Sequence, residues 1–324
     1  MVKILMTLFL LLFLVACSDN YASLKNDYIN FNNALEAALY NHKSVIEVEL
    51  VTLEPYISHP ETDERIEANQ IIIYRIKYKS EDYEVMAYVA APSDFMETLY
   101  PILILNRGGN NKPGFRTGLL EPQDVELFAL RGYIVLASQY RGAFHGMAGT
   151  EQMGGDDVND VLRLIDISES FEFAQQGGVF MAGASRGGMM TYIALRMDDR
   201  IKAAASWAGV SNAFDGFVQR RDLQFVYTRS IGGTPEELPE EYERRSAVMW
   251  ADEITTPLLI GHGGYRDWRV LTEHSINLAE ALERYERPHR LIIYPDADHG
   301  IPIEFIDEVD EWFRKHTARE QGYD

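Results

Sequence analysis

The sequence predicts an α/β fold: a mostly parallel sheet of roughly eight strands, helices on both faces, and an antiparallel N-terminal lead-in. Three observations predict it. From Pro101 onward, short continuous apolar runs alternate with stretches of helical periodicity, the pattern of strands buried on both faces. Before that point come three β-rich runs, the last two separated only by EDY, as in a hairpin. A chain of 324 residues with 46% hydrophobic and 25% charged residues has ordinary globular composition, unlike a disordered or polytopic membrane protein. One large core is the simplest arrangement at this length.

The first residues, MVKILMTLFLLLFLVAC, place Lys3 ahead of an apolar run from Ile4 to Val15. That is the core of a signal peptide, shorter than the ~20 residues that span a bilayer. It ends in Leu14, Val15, Ala16 and Cys17, which resembles the lipobox of bacterial lipoproteins, where the cysteine is lipidated and becomes the new N-terminus. Cys17 is the only cysteine, so no intramolecular disulfide can form, and a lone thiol at that place favours an anchor. The expected organisation is a signal peptide over 1–16, a lipidated tether over 17–23 and a single domain over 24–324. Ser18, by resemblance to the sorting pattern of enteric bacteria, directs the expected location to the outer membrane of a bacterial cell envelope.

Next, LKNDYINFNNALEAALYNHKS carries Leu24, Tyr28, Phe31, Leu35 and Leu39 at helical spacing and predicts a helix packed on the body. VIEVELVTL, IIIYRIKYKS and YEVMAYVAAP are the antiparallel strands. Parallel strands are expected at 101–106, 132–138, 178–184, 202–209, 257–263 and 290–296. Between and after them EPQDVELFALR, DDVNDVLRLIDIS, GGMMTYIALRM, TEHSINLAEALERY and PIEFIDEVDEWFRKH read as helices. The stretch 211–252 breaks the alternation and is too long for a plain connection, so it is expected to be a lid or functional loop.

The net charge of −20 is spread along the whole chain. A nucleic-acid backbone or an anionic membrane surface would repel it, so no nucleic acid partner is expected and membrane contact is expected only through the anchor. No oligomeric state follows from these patterns. The eight histidines show no H-E-x-x-H or paired spacing, and Asp156, Asp157 and Asp160 open a helix, where acids suit the dipole. With no P-loop and no G-x-G-x-x-G after a strand, neither a metal nor a cofactor is implied.

Chemistry concentrates at VFMAGASRGGMMTYIALR, residues 179–196, where a strand passes through G-A-S-R-G into a helix. A serine on so tight a turn requires residues two before and two after it to lack side chains, and Gly183 and Gly187 satisfy this. Ser185 is left projecting from the C-terminal edge of the sheet, with the N–H of Arg186 beside it. A hydroxyl becomes a useful nucleophile only when a base takes its proton and an acid orients that base. In this architecture both follow the serine in chain order, and GHGGYRDWRV and YPDADHGIP supply Asp267 and His299 just after two later strands. All three then lie at strand C-termini on one edge, where ligands bind in open α/β sheets. Asp296, Asp298 and Asp215 are alternative acids, and His262, inside a strand, reads as a structural histidine.

Acyl transfer also needs donors for an oxyanion. NRGGNNKPG, residues 106–114, follows the strand PILILN, and its paired glycines let backbone approach closely. The N–H groups of Gly109 and Arg186 are the expected pair. Arg107, Trp207, Phe214 and Trp268, with Phe217, are candidates for the walls of a substrate pocket.

These motifs together resemble the catalytic domain of the prolyl oligopeptidase family of α/β-hydrolases. GASRGGMM is similar to its nucleophile turn, NRGGN stands at its oxyanion loop, and DWRV and DADHG are similar to its acid and histidine loops. RGYIVLASQYRG, GGDDVNDVL and IGGTPEELPEEYERRSAVMWADEITTPLLIGHG extend the likeness from Pro101 to Phe313. Three features depart from the family pattern. No β-propeller is expected in the stretch before the domain, Arg107 stands where many relatives carry tyrosine or histidine, and His262 to Asp267 is one residue longer than H-G-x-x-D. The resemblance implies a serine hydrolase that cleaves amide or ester bonds through an acyl-enzyme, acting as a peptidase on short peptides. A broad carboxylesterase and a non-catalytic binding lipoprotein are the alternatives.

Overall fold

The computed structural model describes residues 33–51, 71–109, 111–112, 115–116, 120–144 and 147–318. The expected signal peptide, Cys17, the expected tether, and Leu24, Tyr28 and Phe31 of the expected first helix lie outside the described residues. Contacts divide the chain into residues 1–38 and 39–324, and the second unit carries everything that concerns the site. Among the described residues no helix is long and apolar enough to cross a membrane.

In chain order the elements are α1 (Ala34–Asn41), β1 (Val45–Leu50), β2 (Ile71–Ser80), β3 (Tyr83–Pro92), β4 (Ile102–Asn106) and the short pair β5 (Asn111–Lys112) and β6 (Phe115–Arg116). There follow α2 (Pro122–Ala129), β7 (Ile134–Ser138), α3 (Val158–Ser168), β8 (Val179–Ala184), α4 (Arg186–Met197) and β9 (Ile201–Trp207). After β9 come α5 (Ala213–Gln219), α6 (Gln224–Ile231) and α7 (Pro239–Arg244), then β10 (Leu258–Gly263), α8 (Glu273–Arg284), β11 (His289–Tyr294) and α9 (Ile303–Ala318). Each expected strand and crossover helix of the main sheet is present within a few residues. The stretch 211–252 is α5 to α7 with short 3-10 turns. Its first helix is capped by Asn212, whose side chain accepts from the N–H groups of Phe214 and Asp215.

Among the described residues the main sheet has nine strands, one more than the rough expectation, in the order β1-β2-β3-β7-β4-β8-β9-β10-β11. All three N-terminal strands join it. β1, β2 and β3 pair antiparallel, β3 meets β7 antiparallel, and from β7 to β11 every pairing is parallel. β7 is buried at every residue, as an unalternating apolar run covered on both faces must be. At the other extreme β1 is an edge strand, where Glu47 and Glu49 reach Lys77 and Arg75 of β2 and charge the rim. One face of the sheet is sealed by α2 and α9, with Phe180 stacked on Phe313 at 4.6 Å and Tyr133 edge-on to Phe313 at 6.2 Å.

This order places the chemistry. From β4 the chain leaves toward β7 on one side, while from β8 it leaves toward β9 on the other. The C-terminal ends of neighbouring β4 and β8 therefore flank the switch point of the sheet, where connecting loops diverge and open a crevice. Residues 107–109 follow β4 and Ser185 follows β8.

Candidate active site

Ser185 stands between β8 and α4 at φ 57 and ψ −121, a conformation costly for a residue with a side chain. Its neighbours hold it there. The Ser185 N–H donates to the carbonyl of Trp207 at 2.8 Å, and its carbonyl accepts from the N–H groups of Gly188 (3.0 Å) and Val210 (3.3 Å). The flanking glycines leave no room for side chains: a Cβ on Gly183 would lie 2.2 Å from the carbonyl oxygen of Gly187, and one on Gly187 would lie 2.1 Å from that of Asn106. The serine itself is half-buried.

His299, in the loop after β11, reaches Asp267, in the loop after β10, with Nδ1 at 2.9 Å from Oδ2 and 3.1 Å from Oδ1. A carboxylate only accepts, so Nδ1 carries the proton and Nε2 presents its lone pair, the tautomer of a base. The extra residue between His262 and Asp267 is absorbed in a turn in which the Asp267 N–H donates to the Gly264 carbonyl at 3.0 Å. Two of the other candidate acids are otherwise engaged. Asp298 accepts from the N–H of Gly300 at 2.8 Å, and Asp215 from the side-chain amide of Asn212 at 2.8 Å.

The Asp267 carboxylate is fully buried, yet every direction supplies a donor: the N–H groups of Arg269 (3.0 Å) and Val270 (3.1 Å), His299, and Nε2 of His262 at 3.3 Å. Burial pushes its pKa up, but the bonds from His262 and His299 outweigh that and hold it well below the usual carboxylate range. His262 is no bystander. Its Nε2 faces two acceptors, Asp267 and the Val270 carbonyl at 2.9 Å, so Nε2 is protonated, and Nδ1 accepts from the Ser275 hydroxyl at 2.7 Å.

Serine and histidine loops are joined through Trp207, the last residue of β9. Its carbonyl takes the Ser185 N–H, and its indole N–H donates to the His299 carbonyl at 3.0 Å. On the other side of Ser185 runs the loop after β4. A Cβ on Gly108 would lie 3.4 Å from that of Ser185, and Gly109 turns the chain at φ 74. The Arg186 N–H opens α4 and belongs to the first helical turn, whose donors have no carbonyl within the helix.

A model of the prolyl oligopeptidase family matches residues 120–320 of this chain. The chain belongs to the prolyl oligopeptidase family. Its relatives include YtmA of Bacillus subtilis, described as an uncharacterized peptidase, 28% identical over 252 residues that make up 76% of this chain and 95% of YtmA. Dipeptidyl-peptidase 5 of Porphyromonas gingivalis is 26% identical over 256 residues, 71% of this chain but 36% of the relative. Among solved structures, the acylaminoacyl peptidase of Pyrococcus horikoshii superposes with a TM-score of 0.63 at 21% identity, covering 75% of this chain and 40% of that one. The chain thus spans nearly the whole of YtmA and well under half of the other two. The fold is that of the α/β-hydrolases.

Two side chains expected on a pocket wall do not reach one in this member of the prolyl oligopeptidase family. The guanidinium of Arg107 is 1% exposed, donating to the Gln139 carbonyl at 2.7 and 3.0 Å and to Glu151 at 2.5 Å. Inside the protein a cation is favourable only against such acceptors, so the side chain turns in toward them. Trp207, 1% exposed, fills the core against Phe305 at 5.1 Å and Tyr294 at 5.7 Å. Phe214 is half-buried against Tyr242 at 5.5 Å, and Phe217 is edge-on to the same ring at 5.8 Å. Trp268 is 66% exposed, with the guanidiniums of Arg220 and Arg269 over its ring. A cleft of about 490 Å³ borders Asp267, lined by Tyr265, Leu271, Thr272 and Pro295.

Sequence reasoning did not find Tyr140, Glu151 or Asp157, which surround the two arginines beside the serine. Tyr140 falls within SQYRG, a stretch that is similar to the family without suggesting a role, and Asp157 reads in the sequence only as an acid suited to a helix start. Glu151 carries no local signal at all.

Proposed function

We propose that the protein is a serine peptidase that cleaves short peptides through an acyl-enzyme. Ser185 attacks the carbonyl while Nε2 of His299 takes its proton, and the oxyanion that forms is received by the N–H groups of Gly109 and Arg186. His299 then returns that proton to the departing amine as the C–N bond breaks. Water attacks the ester in the second half, giving its proton to Nε2, and Ser185 recovers a proton as the carboxylic acid leaves. Asp267 keeps Nδ1 protonated and offsets the positive imidazolium in both halves. Ionisation of that carboxylate far into the acid range, a consequence of its donors, suits this duty.

The observation that carries the reading is the half-buried Ser185 on a strained, glycine-flanked turn, bonded through Trp207 to the loop of a histidine that is itself paired with a buried carboxylate. Peptides are favoured as substrates by the peptidases among its relatives. A fluorophosphonate probe followed by paired substrates tests this. Labelling of wild type and not of Ser185→Ala, with saturable cleavage of a proline-terminated peptide anilide, supports the reading; labelling with cleavage of a short-chain aryl ester alone would make the enzyme an esterase.

We also propose that Cys17 carries a lipid that holds the protein at the outer membrane of a bacterial envelope, a reading supported by the apolar run from Ile4 to Val15 and the lone thiol. Expressed at full length, wild type should fractionate with membranes and Cys17→Ala should not.

A further inference from the structure

The two segments assigned to the oxyanion come from different strands, residues 107–109 from the end of β4 and Arg186 from the end of β8. Their side chains meet. The guanidiniums of Arg107 and Arg186, 1% and 3% exposed, both lie over the ring of Tyr140, 4.6 and 4.8 Å from its centroid. They share one carboxylate: Glu151 offers Oε1 to Nη2 of Arg107 at 2.5 Å and Oε2 to Nη1 of Arg186. Asp157 takes Nη2 of Arg186 at 2.7 Å and is itself held by the N–H groups of Gln152 and Gly154. Tyr140 completes the frame, its hydroxyl donating to the Arg107 carbonyl at 3.0 Å from a backbone at φ 62.

Two cations and two anions buried together balance in charge, but such a cluster is no efficient stabiliser, since well-packed apolar residues often serve as well. What apolar packing cannot supply is a directional tie between two particular strand ends. Burial works against the Glu151 carboxylate, yet Arg186 and Arg107 hold its pKa below the ordinary value, so it keeps the charge that binds them. Among the described residues Glu151 is the one side chain hydrogen-bonded to both arginines.

We infer that Glu151 is a positioning residue for the oxyanion site: by bridging Arg107 and Arg186 it sets the separation of the backbone donors at Gly109 and Arg186. The inference rests on the acyl-enzyme reading above and names what holds its donors in place. Oxyanion donors act over a narrow range of distance, and a displacement of about 1 Å can cost on the order of 100-fold in rate. Ground-state binding of the peptide does not depend on that separation to the same degree.

Glu151→Gln and Glu151→Asp test it, with active sites counted by complete fluorophosphonate titration so that misfolded protein drops out. Glu151→Gln should lower kcat per titrated site roughly 10- to 100-fold with KM changed less than about 2-fold, and weaken a peptide boronate, which imitates the tetrahedral oxyanion, by the same factor. Glu151→Asp, which keeps the charge but can reach only one arginine, should fall between. Fewer titratable sites with unchanged kcat per site would mean a purely structural role and overturn the inference while leaving the acyl-enzyme reading intact. Should Glu151→Gln fail to fold, Arg107→Lys, which lacks the fork shared by Gln139 and Glu151, is read by the same two criteria. No labelling of Ser185 in wild type would remove the acyl-enzyme reading and this inference together.

Discussion

The indole N–H of Trp207 donates to the main-chain carbonyl of His299 at 3.0 Å, while the Trp207 carbonyl accepts from the N–H of Ser185 at 2.8 Å. One buried residue thus holds both the nucleophile turn and the loop of the proposed base. Replacing Trp207 by Phe keeps most of the ring and removes the donor. About 1 kcal/mol of stability should be lost, and kcat should fall by roughly 3- to 10-fold with KM little changed, because the imidazole and not the substrate is displaced. Urea unfolding and steady-state kinetics measure the two effects. Equal kcat in Trp207→Phe would show that His299 is placed by other contacts.

The glycines of the turn make a harsher prediction. A methyl group on Gly187 would meet the Asn106 carbonyl at 2.1 Å, and backbone on both sides prevents retreat. Gly187→Ala should therefore cost about 3 kcal/mol or more, and the separation of β4 from β8 should change enough to abolish activity. A well-folded, active Gly187→Ala would contradict the packing described at the switch point.

His262 and Asp267 can be separated from each other by acid. Because Asp267 titrates below its unfolded value, the stability it contributes is complete above about pH 4 and is lost as pH falls through the lowered folded value. His262→Asn removes one of the bonds that lowers it. The variant should be less stable than wild type at neutral pH, and the gap should narrow as the pH is brought below about 4. A gap that stays constant with pH would mean that His262 supports the core without acting on the carboxylate.

His274 supplies a titration of opposite character. Burial, with His262 nearby and only partly offset by Asp267, lowers its pKa from 6.5 to about 4, so the folded protein keeps it neutral, near Gln219 at 3.1 Å. Between those two values the unfolded chain binds the extra proton, and stability falls as pH falls. About 2 kcal/mol should be lost between pH 7.5 and pH 5, and His274→Gln should lose less over the same interval. Thermal unfolding at the two pH values decides it.

Much of the fold and the proposed triad was legible because each depends on short-range pattern. Runs such as ILILN and IVLAS lack polar alternation since both faces of their strands are covered, and the serine turn declares itself through glycines whose absence of Cβ is a steric necessity. Asp267 could be chosen from its place after a strand even though its spacing from His262 is unusual, because the turn at Gly264 absorbs the added residue. The burial of Arg107 and Trp207 is not legible in the sequence for one reason: position near a strand end does not say whether a side chain turns outward or inward. Trp207 turns inward, where Phe305 of α9 closes over it, and Arg107 turns inward because Glu151, 44 residues away in sequence, is waiting there. Pairings of that kind belong to tertiary structure alone. No periodicity or motif encodes them.

The central claim is that Ser185 is a nucleophile activated by His299. Its most direct test is reaction of the folded protein with a fluorophosphonate, followed by peptide mapping of the adduct by mass spectrometry. The account predicts one adduct, on the 179–196 stretch at Ser185, absent in Ser185→Ala and formed far more slowly in His299→Ala. Efficient peptide cleavage by wild type with no adduct at Ser185, or an adduct at another serine, would contradict it.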